Sequence, residues 1–242
     1  PVLQYGDRHT AEYNRAGEPM SAAPLFRDRT DAGRALAARL THYADQPDVL
    51  VLALPRGGLP VGFEVATALR VPLDVFVVRK LGLPGHEELA MGAVASGGVR
   101  VLNRELVDYV GVPRDVIDHL TAMAQRELRR REQLYRGDRP PPDVRGRRVI
   151  LVDDGLATGA TMRAGMEALR QADCARIVVA VPVAAADTCE DLARLADEVV
   201  CLATPEPFFG VGMWYEDFSQ LTDDQVRELL ARERELHSLA NG

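Results

Sequence analysis

Residues 149–161, VILVDDGLATGAT, decide how the rest of the chain is read. Four consecutive apolar residues make a strand buried on both faces, and the two acids that follow mark its end. Residues 157–161 are small or carry a hydroxyl, and they run into a helical pattern from Met162. Free backbone N–H groups and the dipole at such a helix start favour a phosphate, and small side chains let it approach closely. Asp153 and Asp154 beside this cradle would repel a phosphate. Their natural partners are ribose hydroxyls, or a metal-bound diol, on the same ligand. A phosphate and a diol together describe a ribose 5-phosphate.

Outward from this stretch, apolar runs of strand length alternate with helical periodicity. The pattern AGRALAARL after Asp31 reads as helix, residues 49–54 (VLVLAL) as a buried strand, 60–69 as helix and 73–78 as strand. The Gly-rich stretch 81–98 reads as a mobile loop or a hairpin. Residues 113–135 are helical and end in RELRRREQLYR, a solvated face, before the prolines at 140–142 break the pattern. Helices over 162–171 and 187–195 then alternate with strands over 177–181 and 198–202, and an amphipathic helix runs from Thr222 to about Leu236. Such a βαβ series predicts an α/β fold with a mostly parallel, twisted sheet, right-handed crossovers and flanking helices. Ligands bind such sheets at the carboxyl ends of the strands, where Asp153 and Asp154 fall. The expected organisation is an N-terminal arm over 1–24, a core over 25–203, and an aromatic segment with a C-terminal helix over 204–242.

The 242 residues suit one α/β domain with embellishments or at most two small ones. No apolar run approaches the roughly 18 to 20 residues of a membrane-spanning helix. The first residues, PVLQYGDRHTAEYNRAGEP, lack a secretory pattern, so a cytoplasmic protein without a membrane role is expected. The net charge of -7 argues against a broad nucleic-acid surface. Cys174, Cys189 and Cys201 form no CxxC pair and are expected as reduced, buried thiols. Lys80 is the only lysine among 29 basic residues, which singles it out as a place for a compact ammonium. Other chemistries lack their motifs. Lys80 has no Walker A framework, Ser96 sits in no GxSxG elbow, no GxGxxG opens a helix, and Ala90 stands where HExxH needs a second His after His86.

VILVDDGLATGAT resembles the signature by which type I phosphoribosyltransferases bind phosphoribosyl pyrophosphate (PRPP), and residues 26–236 are similar to bacterial phosphoribosyltransferase-domain proteins of unassigned acceptor. The resemblance implies the type I phosphoribosyltransferase fold with a C-terminal hood, a Mg²⁺-dependent transfer, and a homodimer. It places Asp153 and Asp154 on the ribose hydroxyls, holding Mg²⁺ directly or only through ligand oxygens and water. Ala157, Thr158, Gly159, Ala160 and Thr161 hold the 5-phosphate. A pyrophosphate loop falls at Pro55, Arg56, Gly57 and Gly58, with a strained or cis peptide near Arg56 and Gly57. Arg79 and Lys80 match the flexible catalytic loop and would neutralise departing pyrophosphate.

The acceptor stays open. In 6-oxopurine members of the family an aspartate stands where this chain has Ala157. Phe209, Trp214 and Tyr215 fall in the hood, where they either stack on a planar acceptor or pack the tail onto the core. Three readings follow: transfer to a nucleobase or related heterocycle, transfer to an amine or hydroxyl of another small molecule, and a PRPP-binding regulator without turnover.

Overall fold

The computed structural model describes residues 2–4 and 23–240. The strands are β1 (Val2–Gln4), β2 (Val49–Ala53), β3 (Leu73–Val75), β4 (Val78–Leu83), β5 (His86–Ala95), β6 (Val99–Leu102), β7 (Arg148–Val152), β8 (Arg176–Val183) and β9 (Glu198–Ala203). The helices are α1 (Arg29–Ala37), α2 (Gly58–Leu69), α3 (Arg104–Val110), α4 (Arg114–Arg136), α5 (Ala160–Gln171), α6 (Ala186–Ala193) and α7 (Asp223–Ala240). The main sheet has the order β1-β9-β8-β7-β2-β3, and every neighbouring pair in it is parallel. The second sheet, β4-β5-β6, is antiparallel.

The unbroken apolar runs seen in the sequence are explained by two cores, one on each face of the main sheet. Val49, Val51, Ala53, Ile150 and Val152 join residues of α1, α2, α4 and α7. Leu50, Leu52, Val149 and Leu151 join residues of α5 and α6. A strand of period two with both faces covered must be apolar at every position, and each Leu or Ile so buried contributes about 1.5 to 3 kcal/mol.

Three expectations are corrected. The run 73–78 is not one strand: β3 stops at Val75, and Val78 begins the antiparallel hairpin, so Arg79 and Lys80, expected to follow that strand, lie inside β4. The run had hidden the break because Phe76 and Val77, which lie between the two strands, are buried as well. Helix α3 was not foreseen; it is short, and Asn103 caps it by accepting from the Leu106 N–H at 3.1 Å. Cys189 of α6 and Cys201 of β9 form a disulfide, and of the three cysteines only Cys174 is free. An odd cysteine count could not show that α6 and β9 face one another. The Gly-rich stretch 81–98 takes the hairpin form, β4 and β5 pairing across it.

Of the expected arm, β1 adds a parallel edge strand beside β9, with Val2 opposite Val199; residues 5–22 lie outside the described residues. The aromatic segment after β9 is clipped to the chain just before α1. Leu25 and Phe26 donate their N–H groups to the Trp214 carbonyl at 3.0 and 3.1 Å, while Glu216 and Asp217 donate to the carbonyls of Phe26 and Arg27 at 2.9 and 2.8 Å. Ala32, Val183, Trp214 and Tyr215 form a small third core there. No helix among the described residues is long and apolar enough to cross a membrane.

Candidate active site

Strands β2 and β7 are neighbours in register, Ala53 opposite Val152, so the loops after them emerge side by side. The Leu54 N–H continues the ladder to the Val152 carbonyl at 2.9 Å. Residues 55–58 are thereby laid against Asp153 and Asp154. A Cβ on Gly57 would lie 2.0 Å from Asp154 Oδ2, and one on Gly58 would lie 2.8 Å from the Val152 carbonyl and 2.9 Å from Asp153 Cα. Only glycine permits that approach. The peptide bond between Pro55 and Arg56 is cis, within the region where the sequence resemblance implied one.

Asp153 accepts from the Asp154 backbone N–H at 2.9 Å. Burial pushes its carboxyl well above the ordinary carboxylate range, and the neighbouring Asp154 charge adds to this. Burial raises Asp154 as well, opposed by the guanidinium of Arg29, whose Nε donates to Oδ2 at 2.8 Å. The pair is a partly dehydrated acidic centre that favours a cation or hydroxyl donors.

The loop after Asp154 leads through Leu156, which bridges to Ala184, into α5. Gly159, the residue before α5, has φ of 66°, a conformation that suits glycine. Ala157 and Thr158 are exposed, Gly159 is buried, and Ala160 and Thr161 are half-buried at the start of α5. The first N–H groups of a helix have no partner within it, so this loop can receive a phosphate. Thr188 of α6 fixes the loop from behind, donating its hydroxyl to the Ala157 carbonyl at 2.6 Å.

The remaining candidates are distributed around this centre. Arg56 is exposed and pairs at 3.9 Å with Asp223, which also accepts from the Tyr135 hydroxyl at 2.7 Å. Arg79 is half-buried, and Lys80 is exposed. Lys80 lines a cavity of about 800 Å³ with Glu87, Asp115 and His119, a lining that includes neither the 55–58 loop nor the 153–161 loop. Trp214 and Tyr215 are each 4% exposed, and the Tyr215 hydroxyl donates to the Asp154 carbonyl at 2.6 Å. Burial raises the Tyr215 hydroxyl far above its usual value, so it stays protonated and donating. Phe209, by contrast, is 69% exposed. Arg29, Thr188 and Asp223 had been missed in the sequence, since each is an ordinary residue of a helix start or helix face whose partner is remote along the chain.

A parallel α/β sheet that carries a carboxylate pair, a glycine loop and a small-residue helix start at adjacent strand ends has the layout of an α/β protein built to receive a phosphate-bearing ligand there. The phosphoribosyl transferase domain family matches residues 27–216, and the chain belongs to it. It is 47% identical over 208 residues to a Mycobacterium tuberculosis H37Rv protein named "putative phosphoribosyl transferase", covering 86% of this chain and 47% of that protein. The Listeria monocytogenes "Bifunctional protein PyrR" is 31% identical over 93 residues, 35% of this chain and 51% of that protein. The chain thus spans about half the length of the curated relatives it matches. The crystal structure of TT1426 from Thermus thermophilus has a TM-score of 0.77 at 43% identity, covering 86% of this chain and 98% of that one. The fold is that of the type I phosphoribosyltransferases.

Proposed function

We propose that the protein transfers the 5-phosphoribosyl group of PRPP to an acceptor, a nucleobase or related planar heterocycle, and releases pyrophosphate. The observation that carries this reading is the contact of Gly57 and Gly58 with Asp154 and Asp153. One ligand can then lay its pyrophosphate on the first loop and its ribose hydroxyls on the second, with its 5-phosphate at residues 157–161. The bond from C1 to pyrophosphate breaks as the acceptor nucleophile bonds to C1 from the opposite face with inversion, and the acceptor gives up its proton. Arg56 from the first loop, with Arg79 and Lys80 from the hairpin, would take the charge of the leaving pyrophosphate. Closure of β4 and β5 over the site would keep water from the reacting carbon.

Asp153 and Asp154 fit Mg²⁺. Mg²⁺ keeps waters and takes substrate phosphates as ligands, so two adjacent carboxylates can hold it without an all-protein cage. When bound, Mg²⁺ would offset the charge of the pyrophosphate and relieve the repulsion between the two carboxylates. The family resemblance supports a homodimer, which light scattering tests.

One observation favours a smaller, non-base nucleophile such as an amine or hydroxyl: Trp214 and Tyr215 are committed to packing, which leaves Phe209 as the exposed aromatic of the three. The test is pyrophosphate release from PRPP with Mg²⁺ across purines, pyrimidines and amine acceptors, with a control lacking acceptor. Release that depends on one acceptor supports transfer and names its class. Release without acceptor assigns hydrolysis. Asp153→Asn combined with Asp154→Asn is expected to abolish PRPP binding with the fold intact, and full activity in that variant would remove the proposal.

A further inference from the structure

One side chain outside both substrate loops joins the carboxylate pair to the C-terminal hood. Arg29, the first residue of α1, donates from Nε to Asp154 Oδ2 at 2.8 Å and from Nη1 to the Ser219 carbonyl at 2.9 Å. Its guanidinium lies 3.9 Å from the centroid of the Phe218 ring, within the range of a cation–π contact. Phe218 in turn packs on Tyr215 with centroids 5.0 Å apart, and Tyr215 donates to the backbone carbonyl of the same Asp154. Asp154 is thus held by the hood at its carbonyl and by the hood's arginine partner at its carboxylate.

The surroundings make this a tight connection. The side chains of Arg29 and Asp154 are 12% and 14% exposed, so solvent screens their attraction weakly, and loss of one partner would strand the other. The residues just before Arg29 carry the backbone hydrogen bonds that clip the hood in place. Trp214, the only tryptophan of the chain, belongs to this clip.

We propose that Arg29 is a positioning residue which couples occupation of the ribose site to the hood over the acceptor; this inference rests on the PRPP reading above. A ribose hydroxyl that engages Asp154 meets a carboxylate already held at Oδ2 by a rigid, planar cation. Any adjustment of that carboxylate passes through the guanidinium to Ser219 and Phe218, and so to the segment that carries Phe209, Trp214 and Tyr215. The acceptor side of the site is then set when PRPP binds. A lysine at this position could meet Asp154 as a point charge, but it lacks the fork and the flat face that reach Ser219 and Phe218 together.

The test follows Trp214 emission during titration with PRPP and Mg²⁺, with calorimetry of the same binding in parallel, on the wild type, Arg29→Lys and Arg29→Met. In the wild type the emission change and the heat are expected to share one midpoint. Arg29→Lys is expected to bind PRPP within about threefold of the wild type, without the emission change. Arg29→Met, which loses a hydrogen bond to a charged group, is expected to bind about tenfold more weakly, also without the emission change. If Arg29→Met does not fold, as circular dichroism would show, Arg29→Lys decides. An emission change that persists in Arg29→Lys overturns the coupling, as does PRPP binding by the wild type with silent Trp214. No heat of PRPP binding in the wild type overturns the functional reading itself, and the coupling with it.

Discussion

Thr188 of α6 donates its hydroxyl to the carbonyl oxygen of Ala157 at 2.6 Å, so the loop that would hold the 5-phosphate is braced by the helix of the next βα unit. The two elements also approach closely at Gly159, where an added Cβ would fall 2.8 Å from Thr188 Cγ2. Thr188→Val keeps the shape and removes the hydrogen bond. It is expected to cost about 1 kcal/mol of stability in urea unfolding, the usual net worth of one such bond. The larger effect is expected in binding: calorimetry with ribose 5-phosphate should show affinity lowered about threefold to tenfold, the result of a loop less well organised before the ligand arrives. Unchanged affinity would mean that the loop holds its shape without α6.

Gly57→Ala separates two opposing effects. Gly57 has φ of -61° and ψ of -38°, which any residue adopts, so alanine there would by backbone entropy alone stabilise the fold by about 0.4 to 1 kcal/mol. The added Cβ, however, would stand 2.0 Å from Asp154 Oδ2. Overpacking of this kind costs about 1 to 3 kcal/mol, so the steric effect is expected to win. The expected outcome is a net loss of stability together with loss of measurable PRPP binding, because Asp154 can yield only by breaking from Arg29. A stabilised variant that still binds PRPP would show that the two loops are not held in contact.

How much of this was legible in the sequence divides along physical lines. The strand ending in Asp153 and Asp154, the loop into α5 and the alternating elements around them were readable, because local pattern dictates them: continuous apolar runs, paired acids, small residues before a helix. The placing of 55–58 beside Asp154 was readable only by resemblance, since it depends on β2 and β7 being neighbours. Arg29 was not readable at all. It stands 125 positions from Asp154 at the first residue of α1, where arginine has no special meaning. Trp214 and Tyr215 were legible as aromatic residues of the C-terminal segment, yet only their burial shows that they pack. The run 73–78 misled for the opposite reason, since apart from Asp74 it is apolar from end to end while its backbone changes sheet between Val75 and Val78.

Glu233 of α7 gives a pH test away from the site. It is 6% exposed and accepts from the Leu73 N–H at 3.2 Å, tying α7 to the start of β3. Burial raises its carboxyl above the ordinary value, with Asp74 adding to the rise and the Leu73 hydrogen bond, His237 and Arg234 opposing it. A carboxyl raised in the folded state costs nothing below its unfolded pKa of about 4.3, where both states are protonated. As pH climbs from there through the raised value, the unfolded chain ionises more readily and stability falls. Glu233→Gln keeps the acceptor for Leu73 and does not titrate. Its stability relative to the wild type is therefore expected to improve as pH rises above about 4.3 and then to level off. A difference that is flat with pH would show Glu233 to be hydrated in the folded protein.

Lys80 is the residue whose observed place differs most from its proposed task. In this structure it stands exposed on β4, lining the cavity with Glu87, Asp115 and His119, and no ion pair to it is present among the described residues. A cation that waits on a hairpin and meets pyrophosphate only as the hairpin closes stabilises the transition state more than the bound ground state. Such a group is visible in turnover and nearly silent in binding. Lys80→Ala is accordingly expected to lower kcat by about a hundredfold, the scale seen when one preorganised donor to developing charge is lost. The PRPP dissociation constant should stay within about twofold, because the proposed reading assigns the ground-state contacts to residues 55–58 and 153–161. Rapid-quench measurement of pyrophosphate formation, set beside calorimetric binding, separates the two. Equal losses in binding and turnover would place Lys80 on PRPP before the reaction begins, and no loss in either would return it to the solvated surface of the hairpin.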